Sequence, residues 1–253
     1  MQALASDFDG TLFFGKEDPQ IRTTDIEAIR RFQGSGGLFG ICTGRSRVGI
    51  EMEVGDRIRM DFYILVSGAL ILDGEGRTIA KYTISRQTLR SLYEAYKGRV
   101  RQVIQGNDTV YSLTGYHPMQ TIIRSLEEIP GDIYGMSFAA QTPEEAEVIC
   151  REVNTCYAGE LMGFVNINNI DIVPYGCSKG NALRLVKKYF GIGTMAGIGD
   201  SYNDLSSLEA ADTAFTFPYA PDAVRQAADH VVASVAEALE FLQKAEGQKA
   251  EEA

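Results

Sequence analysis

Short apolar runs alternate with helical patterns at both ends of this 253-residue chain, and that rhythm limits the fold more than any other feature. LASDF at 4–8 reads as a strand, TTDIEAIRRFQ at 23–33 as a helix behind a Thr24 or Asp25 cap, LFGICTG at 38–44 as a second strand and FYILVSGALIL at 62–72 as a third. From residue 178 the succession resumes. SKGNALRLVKKYFG, YNDLSSLEAAD, APDAVRQAAD and SVAEALEFLQKAEG read as helices, and TMAGIGD, TAFTFP and HVVA as strands between them, with a charged remainder expected to fray. Strands that alternate with helices favour a parallel sheet covered on its faces. The expectation is an α/β fold, a doubly wound parallel sheet built from residues 1–73 and 175–253.

Residues 74–174 read differently. DGEG at 73–76 marks a hairpin turn, and GND at 106–108 another between RVRQVIQ and TVYSL. Helical patterns at RQTLRSLYEAYKG and PEEAEVICREVNTCYA separate strands at IYGMSFAA, ELMGFVNI and NIDIVP, so this stretch is expected to form an inserted α+β domain. Eight of the twelve tyrosines fall between 82 and 175, where they either stack on a ligand or form the core of a small sheet. His117 lies in an expected loop of the same region.

Charge narrows the function. With 24 Lys and Arg against 34 Asp and Glu, the net charge of -10 argues against nucleic acid or anionic membrane as a partner. A small anionic substrate would need a local cationic site. The start, MQALASDFDG, has neither the basic leader nor the apolar core of a signal peptide, and no stretch reaches transmembrane length, so the expectation is a cytoplasmic protein. Cys42, Cys150, Cys156 and Cys177 form no CxxC pair and the histidines are only two, which disfavours both a structural zinc site and a Ser-His-Asp hydrolase.

The chemistry gathers at strand ends. In open α/β sheets ligands bind beyond the carboxyl ends of the strands. There the first strand delivers Asp7 and Asp9, the second Thr43-Gly44-Arg45, and TMAGIGD delivers Asp200, with Asn203 and Asp204 close behind; Lys179 opens the preceding helix. Asp7 and Asp9 would repel if both were buried and ionised, so something positive should compensate. Asp7, Asp9, Asp200 and Asp204 offer hard oxygen ligands that suit Mg2+. Thr43, Lys179 and the backbone N–H groups around Gly10 and Gly44 supply donors for a tetrahedral anion. Arg45 either contacts substrate or pairs with an acidic neighbour.

The four pieces DFDGTL, TGRS, SKGNAL and GDSYND, in that order, resemble the four motifs of the haloacid dehalogenase (HAD) superfamily, most of whose members are phosphatases. The insertion between the second and third motifs resembles the larger cap of the Cof-type, subfamily IIB sugar phosphatases. The resemblance implies a Rossmann-like core with a cap and a Mg2+-dependent phosphatase acting on a small phosphorylated metabolite. It implies Asp7 as the nucleophile that becomes an aspartyl-phosphate, Asp9 as general acid and base, Thr43 and Lys179 as phosphate holders, Asp200 as a direct metal ligand, Asp204 as an outer or water-mediated one, and Asn203 as a phosphate-side donor. Where those relatives commonly end the third strand in Asn-Gly-Ala, this chain has Ser67-Gly68-Ala69, which leaves the role of Ser67 open. A phosphomutase acting on hexose phosphates and a non-catalytic phosphate-binding regulator are the alternatives. A monomer or weak homo-oligomer is expected.

Overall fold

The computed structural model describes residues 1–106, 109–115 and 120–251, and of 246–251 the backbone alone. Asn107 and Asp108 of the expected GND turn, Tyr116 and His117 lie outside the described residues. The first third of the chain runs β1 (Gln2–Ser6), α1 (Thr23–Gly34), β2 (Leu38–Cys42), α2 (Arg47–Val54), β3 (Phe62–Leu65), β4 (Leu70–Asp73) and β5 (Thr78–Lys81). The middle runs α3 (Arg86–Tyr96), β6 (Arg101–Gly106), β7 (Thr109–Ser112), β8 (Gln120–Ile122), β9 (Ile133–Ala139), α4 (Pro143–Cys156), β10 (Leu161–Asn166) and β11 (Asn169–Pro174). The last third runs α5 (Lys179–Phe190), β12 (Thr194–Ile198), α6 (Leu205–Ala210), β13 (Thr213–Thr216), α7 (Asp222–Ala227), β14 (His230–Val231) and α8 (Val235–Glu251).

The outer thirds make one sheet in the order β14-β13-β12-β1-β2-β3-β4-β5. It is parallel from β14 to β3 and antiparallel across β4 and β5. The alternation of side chains along a strand divides its core in two. Leu4, Phe39 and Ile41 pack on one face with Ile29 and Phe32 of α1 and Leu239 of α8, whereas Ala3, Ala5, Phe62 and Ile64 pack on the other with Leu183 and Val186 of α5. The middle third forms a second sheet, β10-β11-β9-β6-β7-β8, backed by α3 and α4 around Leu89, Leu92, Phe138, Ile149 and Val153. Among the described residues, no helix is long and apolar enough to cross a membrane.

Three local expectations change. The run 62–72 is not one strand. It breaks at Val66, Ser67 and Gly68, whose φ values are 48°, 49° and 96°, and folds back as the antiparallel pair β3–β4. Gly68 is required at this reversal, since a Cβ there would stand 2.5 Å from the Ser178 carbonyl oxygen. The hairpin then carries the first sheet past residue 73, where the sequence places the division, as far as Lys81. Neither Thr24 nor Asp25 caps α1, whose N-cap is Arg22 without a side-chain bond. Fully buried Asp25 instead accepts the Ala236 N–H at 2.8 Å, in the first turn of α8. Finally, the backbone of α8 continues to Glu251 rather than fraying at 248, through residues that favour helix.

Candidate active site

The loop after β1 gives Asp7 and Asp9 different surroundings. Because the strand ends at Ser6, the chain turns at once, and the Phe8 carbonyl accepts the N–H groups of Leu12 and Phe13 at 3.0 and 2.8 Å. Buried Phe8 stacks on Phe13 at 5.0 Å between ring centroids and anchors the turn. Asp7 therefore points inward and is 7% exposed; Asp9 points outward, 49% of its side chain exposed, and is gripped at both oxygens by Arg45, whose Nε donates to Oδ2 at 2.7 Å and whose Nη2 donates to Oδ1 at 2.5 Å. Of the two alternatives for Arg45, the structure takes the acidic neighbour, with the guanidinium lying over Phe8 and Phe13.

Lys179 answers the charge on Asp7. Ser178 caps α5 by accepting the Asn181 N–H, which fixes Lys179 in the first helical turn beneath the strand ends. Its Nζ donates to Asp7 Oδ1 and to Asp204 Oδ1, both at 2.6 Å, and the residue is 1% exposed. Burial opposes the ammonium, yet the charges of Asp204 and Asp7 outweigh it and hold Lys179 well above the usual lysine range. Burial, followed by the Asp204 charge, pushes the Asp7 carboxyl well up.

Asp200 and Asp204 arrive from the loop after β12. Asp204 Oδ2 accepts the N–H groups of Asp200 and Ser201, both at 3.0 Å, as one half of a capping box with Ser201. Asp200 Oδ1 accepts the Thr11 hydroxyl at 2.8 Å, and burial pushes its carboxyl up to about 6. Gly10, at φ +80°, passes so close that a Cβ would stand 2.8 Å from Asp200 Oδ2. Asp7, Asp200 and Asp204 thus offer oxygens within 4.8 Å of one another, a group that could hold a metal ion. The carboxylate of Asp9 does not belong to it, because the turn sends that side chain to Arg45.

A cavity of about 560 Å³ opens beside Asp7, the one member of this group that lines it. Asp7, Asp9, Thr43, Gly44, Arg45 and Asn203 line it from the first sheet, so the structure brings together most of the residues singled out in the sequence. The Asn203 amide oxygen accepts the Ser201 hydroxyl at 2.6 Å. Gly10 differs from expectation as an anion donor: its N–H is already bonded to the Phe13 carbonyl at 2.9 Å, and the Tyr219 hydroxyl donates to its carbonyl at 2.6 Å. Ser67 is buried, with Oγ 3.5 Å from Asp171.

The second sheet supplies the opposite wall, which the sequence reading missed. Gln105, Ser137, Asn166, Asn169 and Asp171 line it. Gln105 Nε2 donates to the Gly44 carbonyl and to Ser137 Oγ, each at 3.1 Å, and Ser137 Oγ donates to Asp171 Oδ1 at 2.8 Å. Burial raises the Asp171 carboxyl. The signal available was the one charge inside the apolar strand NIDIVP. Among the described residues no tyrosine lines the cavity; Tyr93, Tyr96, Tyr111 and Tyr134 are buried in or beside the second sheet.

A cleft at the carboxyl edge of a parallel sheet, with clustered carboxylates beside one buried ammonium, is the place where an open α/β sheet binds a ligand. The chain belongs to the haloacid dehalogenase-like hydrolases, whose family model matches residues 4–238. A 5-amino-6-(5-phospho-D-ribitylamino)uracil phosphatase of Bacillus subtilis is 25% identical to it, over 92% of this chain and 93% of its own. A haloacid dehalogenase-like hydrolase of B. subtilis superposes with a TM-score of 0.85 at 21% identity, covering 96% of this chain and 100% of the other. A sugar phosphatase of HAD subclass IIB superposes with a TM-score of 0.78 at 23% identity, covering 96% and 99%. The protein is an enzyme, a hydrolase of this family, and relatives it matches are named phosphatases.

Proposed function

We propose that this hydrolase is a Mg2+-dependent phosphatase that hydrolyses a small phosphomonoester, a sugar phosphate, through an aspartyl-phosphate on Asp7. The observation that carries the reading is the buried group itself. Three carboxylates, Asp7, Asp200 and Asp204, share one ammonium, Lys179, so ionising all three would leave two negative charges uncompensated in ground mostly closed to water. A divalent cation matches that deficit, and hard oxygen donors with no thiolate or imidazole among them fit Mg2+. Asp7 and Asp200 would hold it, with Asp204 fixed behind them by Lys179 and two backbone N–H groups. When bound, the cation supplies charge neutralisation at the transferring phosphoryl oxygens.

The chain's own residues do the rest. A carboxylate oxygen of Asp7 attacks phosphorus as the ester P–O bond breaks, and Asp9 gives its proton to the departing alkoxide oxygen. Asp9 then takes a proton from water, whose oxygen attacks the phosphorus and regenerates Asp7. Thr43, Arg45, Asn203 and the Gly44 N–H bind the phosphoryl oxygens. The Arg45–Asp9 pair is partly exposed and such pairs are weak, so an incoming phosphoryl dianion draws the guanidinium away, and Asp9, released from it, takes up from solvent the proton it passes to the departing oxygen. The inserted unit serves as a cap that shields the intermediate from stray water. The subclass IIB sugar phosphatase and the ribitylamino-uracil phosphatase among its relatives support a polyhydroxylated substrate.

Steady phosphate release from an aryl phosphate in Mg2+, abolished by chelator, is the expected result, followed by a screen of phosphorylated metabolites scored for free phosphate. Isomerised hexose phosphate in place of free phosphate would assign the phosphomutase chemistry instead.

A further inference from the structure

The wall contributed by the second sheet has a definite chemical character. Gln105, Ser137, Asn166 and Asn169 are neutral hydrogen-bonding groups, and the one ionisable side chain among the residues this wall contributes is Asp171. Among the described residues lining the cavity the sole cation is Arg45, on the opposite side and paired with Asp9. The Lys179 ammonium is committed to Asp7 and Asp204. A negative charge on the leaving group would therefore meet Asp171 with no described lining cation on that wall to offset it.

Asp171 is also held in place. Gln105, 6% exposed, braces Ser137 Oγ, which donates to Asp171 Oδ1 at 2.8 Å. Among the described residues Oδ2 accepts only the long 3.5 Å contact from Ser67 Oγ, which leaves its acceptor capacity largely unused. That same oxygen lies against the Thr43–Arg45 loop, since a Cβ on Gly44 would stand 2.4 Å from it. Asp171 thus stands beside Gly44, one of the groups assigned above to the phosphoryl oxygens.

Resting on the phosphatase reading above, we propose that Asp171 selects the leaving group: its free oxygen accepts a hydroxyl close to the ester bond, and its charge rejects phosphoesters that carry a carboxylate or a second phosphate there. Burial favours such a partner, because a carboxylate enclosed by protein needs donors to remain ionised. A site built to bond a hydroxyl discriminates strongly against a group that cannot donate, and like charges brought together add to the rejection.

The test uses matched esters that differ by one CH2OH-to-carboxylate change near the ester bond, 2-hydroxyethyl phosphate against 2-phosphoglycolate and glycerol 3-phosphate against 3-phosphoglycerate, with Mg2+ and an aryl phosphate as reference. The native enzyme is expected to favour the polyol of a pair by at least about tenfold in kcat/KM. Asp171→Asn should shrink that ratio to within about threefold, and Ser137→Ala, which frees the carboxylate without removing it, should shift it the same way. Equal turnover within the pairs, preference for the carboxylated ester, turnover of the aryl ester but of neither polyol ester, or an unchanged ratio in Asp171→Asn would overturn the proposal. If Asp171→Asn does not fold, the Ser137→Ala ratio decides. An aryl phosphate left intact by the native enzyme would sink the phosphatase reading, and this inference with it.

Discussion

Replacing Lys179 by methionine tests the electrostatic design of the centre. The side chain is 1% exposed and its Nζ stands 2.6 Å from carboxylates of both Asp7 and Asp204. Methionine keeps the bulk and removes the charge, so two buried carboxylates face each other without a counter-ion. Removing one partner of a buried ion pair costs about 3–5 kcal/mol. For a chain of this length each kcal/mol moves Tm by about 2–4 °C, which gives a fall of about 6–20 °C. The pH dependence has a definite sign. Burial already raises the Asp7 carboxyl, the Asp204 charge adds to that, and Lys179 opposes it. Without the ammonium, the folded-state value rises further above the unfolded one. A raised folded value stabilises at low pH and loses that contribution as pH climbs through it. The deficit of Lys179→Met should therefore be largest above neutrality and narrow towards about pH 5. Circular-dichroism melts in chelator read it directly, and adding Asp204→Asn should restore part of the loss. A native Tm in Lys179→Met, or a deficit that widens on acidification, would refute the reasoning.

Asp7→Asn should abolish turnover in a folded protein, and substantial phosphate release from it would remove Asp7 as nucleophile. Asp9→Asn should slow hydrolysis of alkyl esters by about a hundred- to ten-thousandfold, the range for a positioned acid or base, and less for an aryl ester whose leaving group needs no proton; an equal loss on both would contradict the role. Thr11→Val removes the hydroxyl bonded to Asp200 and should raise the Mg2+ concentration for half-maximal activity by about 10–100-fold, with an unchanged metal requirement counting against Asp200 as a ligand. Asp25→Ala should cost about 0.5–2 kcal/mol through the lost cap on α8, measured by urea unfolding, and a neutral result would mean that the Ala236 N–H finds another partner.

What could be read from the sequence was what local patterns encode. Asp7, Thr43 and Asp200 each follow an apolar strand, and a parallel sheet puts all such ends on one edge, so their convergence needs no knowledge of side-chain direction. The alternation that finds strands does not find the breaks within them. Eleven apolar or small residues at 62–72 carry no polar punctuation except Ser67, and the reversal there depends on the approach of Ser178 to Gly68 from far along the chain. Asp25 looked like a cap for its own helix because capping is usually local; its partner Ala236 is 211 positions away. Asp171 and Gln105 escaped notice for the same reason, since the wall they form exists only once the second sheet stands over the first. That the Asp9 side chain turns to Arg45, apart from Asp7, Asp200 and Asp204, depends on a turn that begins immediately after Ser6.

Gly68 and its neighbour have a consequence for the whole architecture. The Tyr82 N–H bonds to the Ala69 carbonyl at 2.8 Å just after β5, and Ser178 abuts Gly68 just before α5. The chain thus departs from its main sheet and rejoins it beside one and the same tight bend. Everything in between hangs from adjoining points, like a drawer on one runner. The covalent path through the middle segment therefore leaves the registers of β12, β1, β2 and β3 uninterrupted, and its grip on the site comes through contacts such as Gln105 on the Gly44 carbonyl.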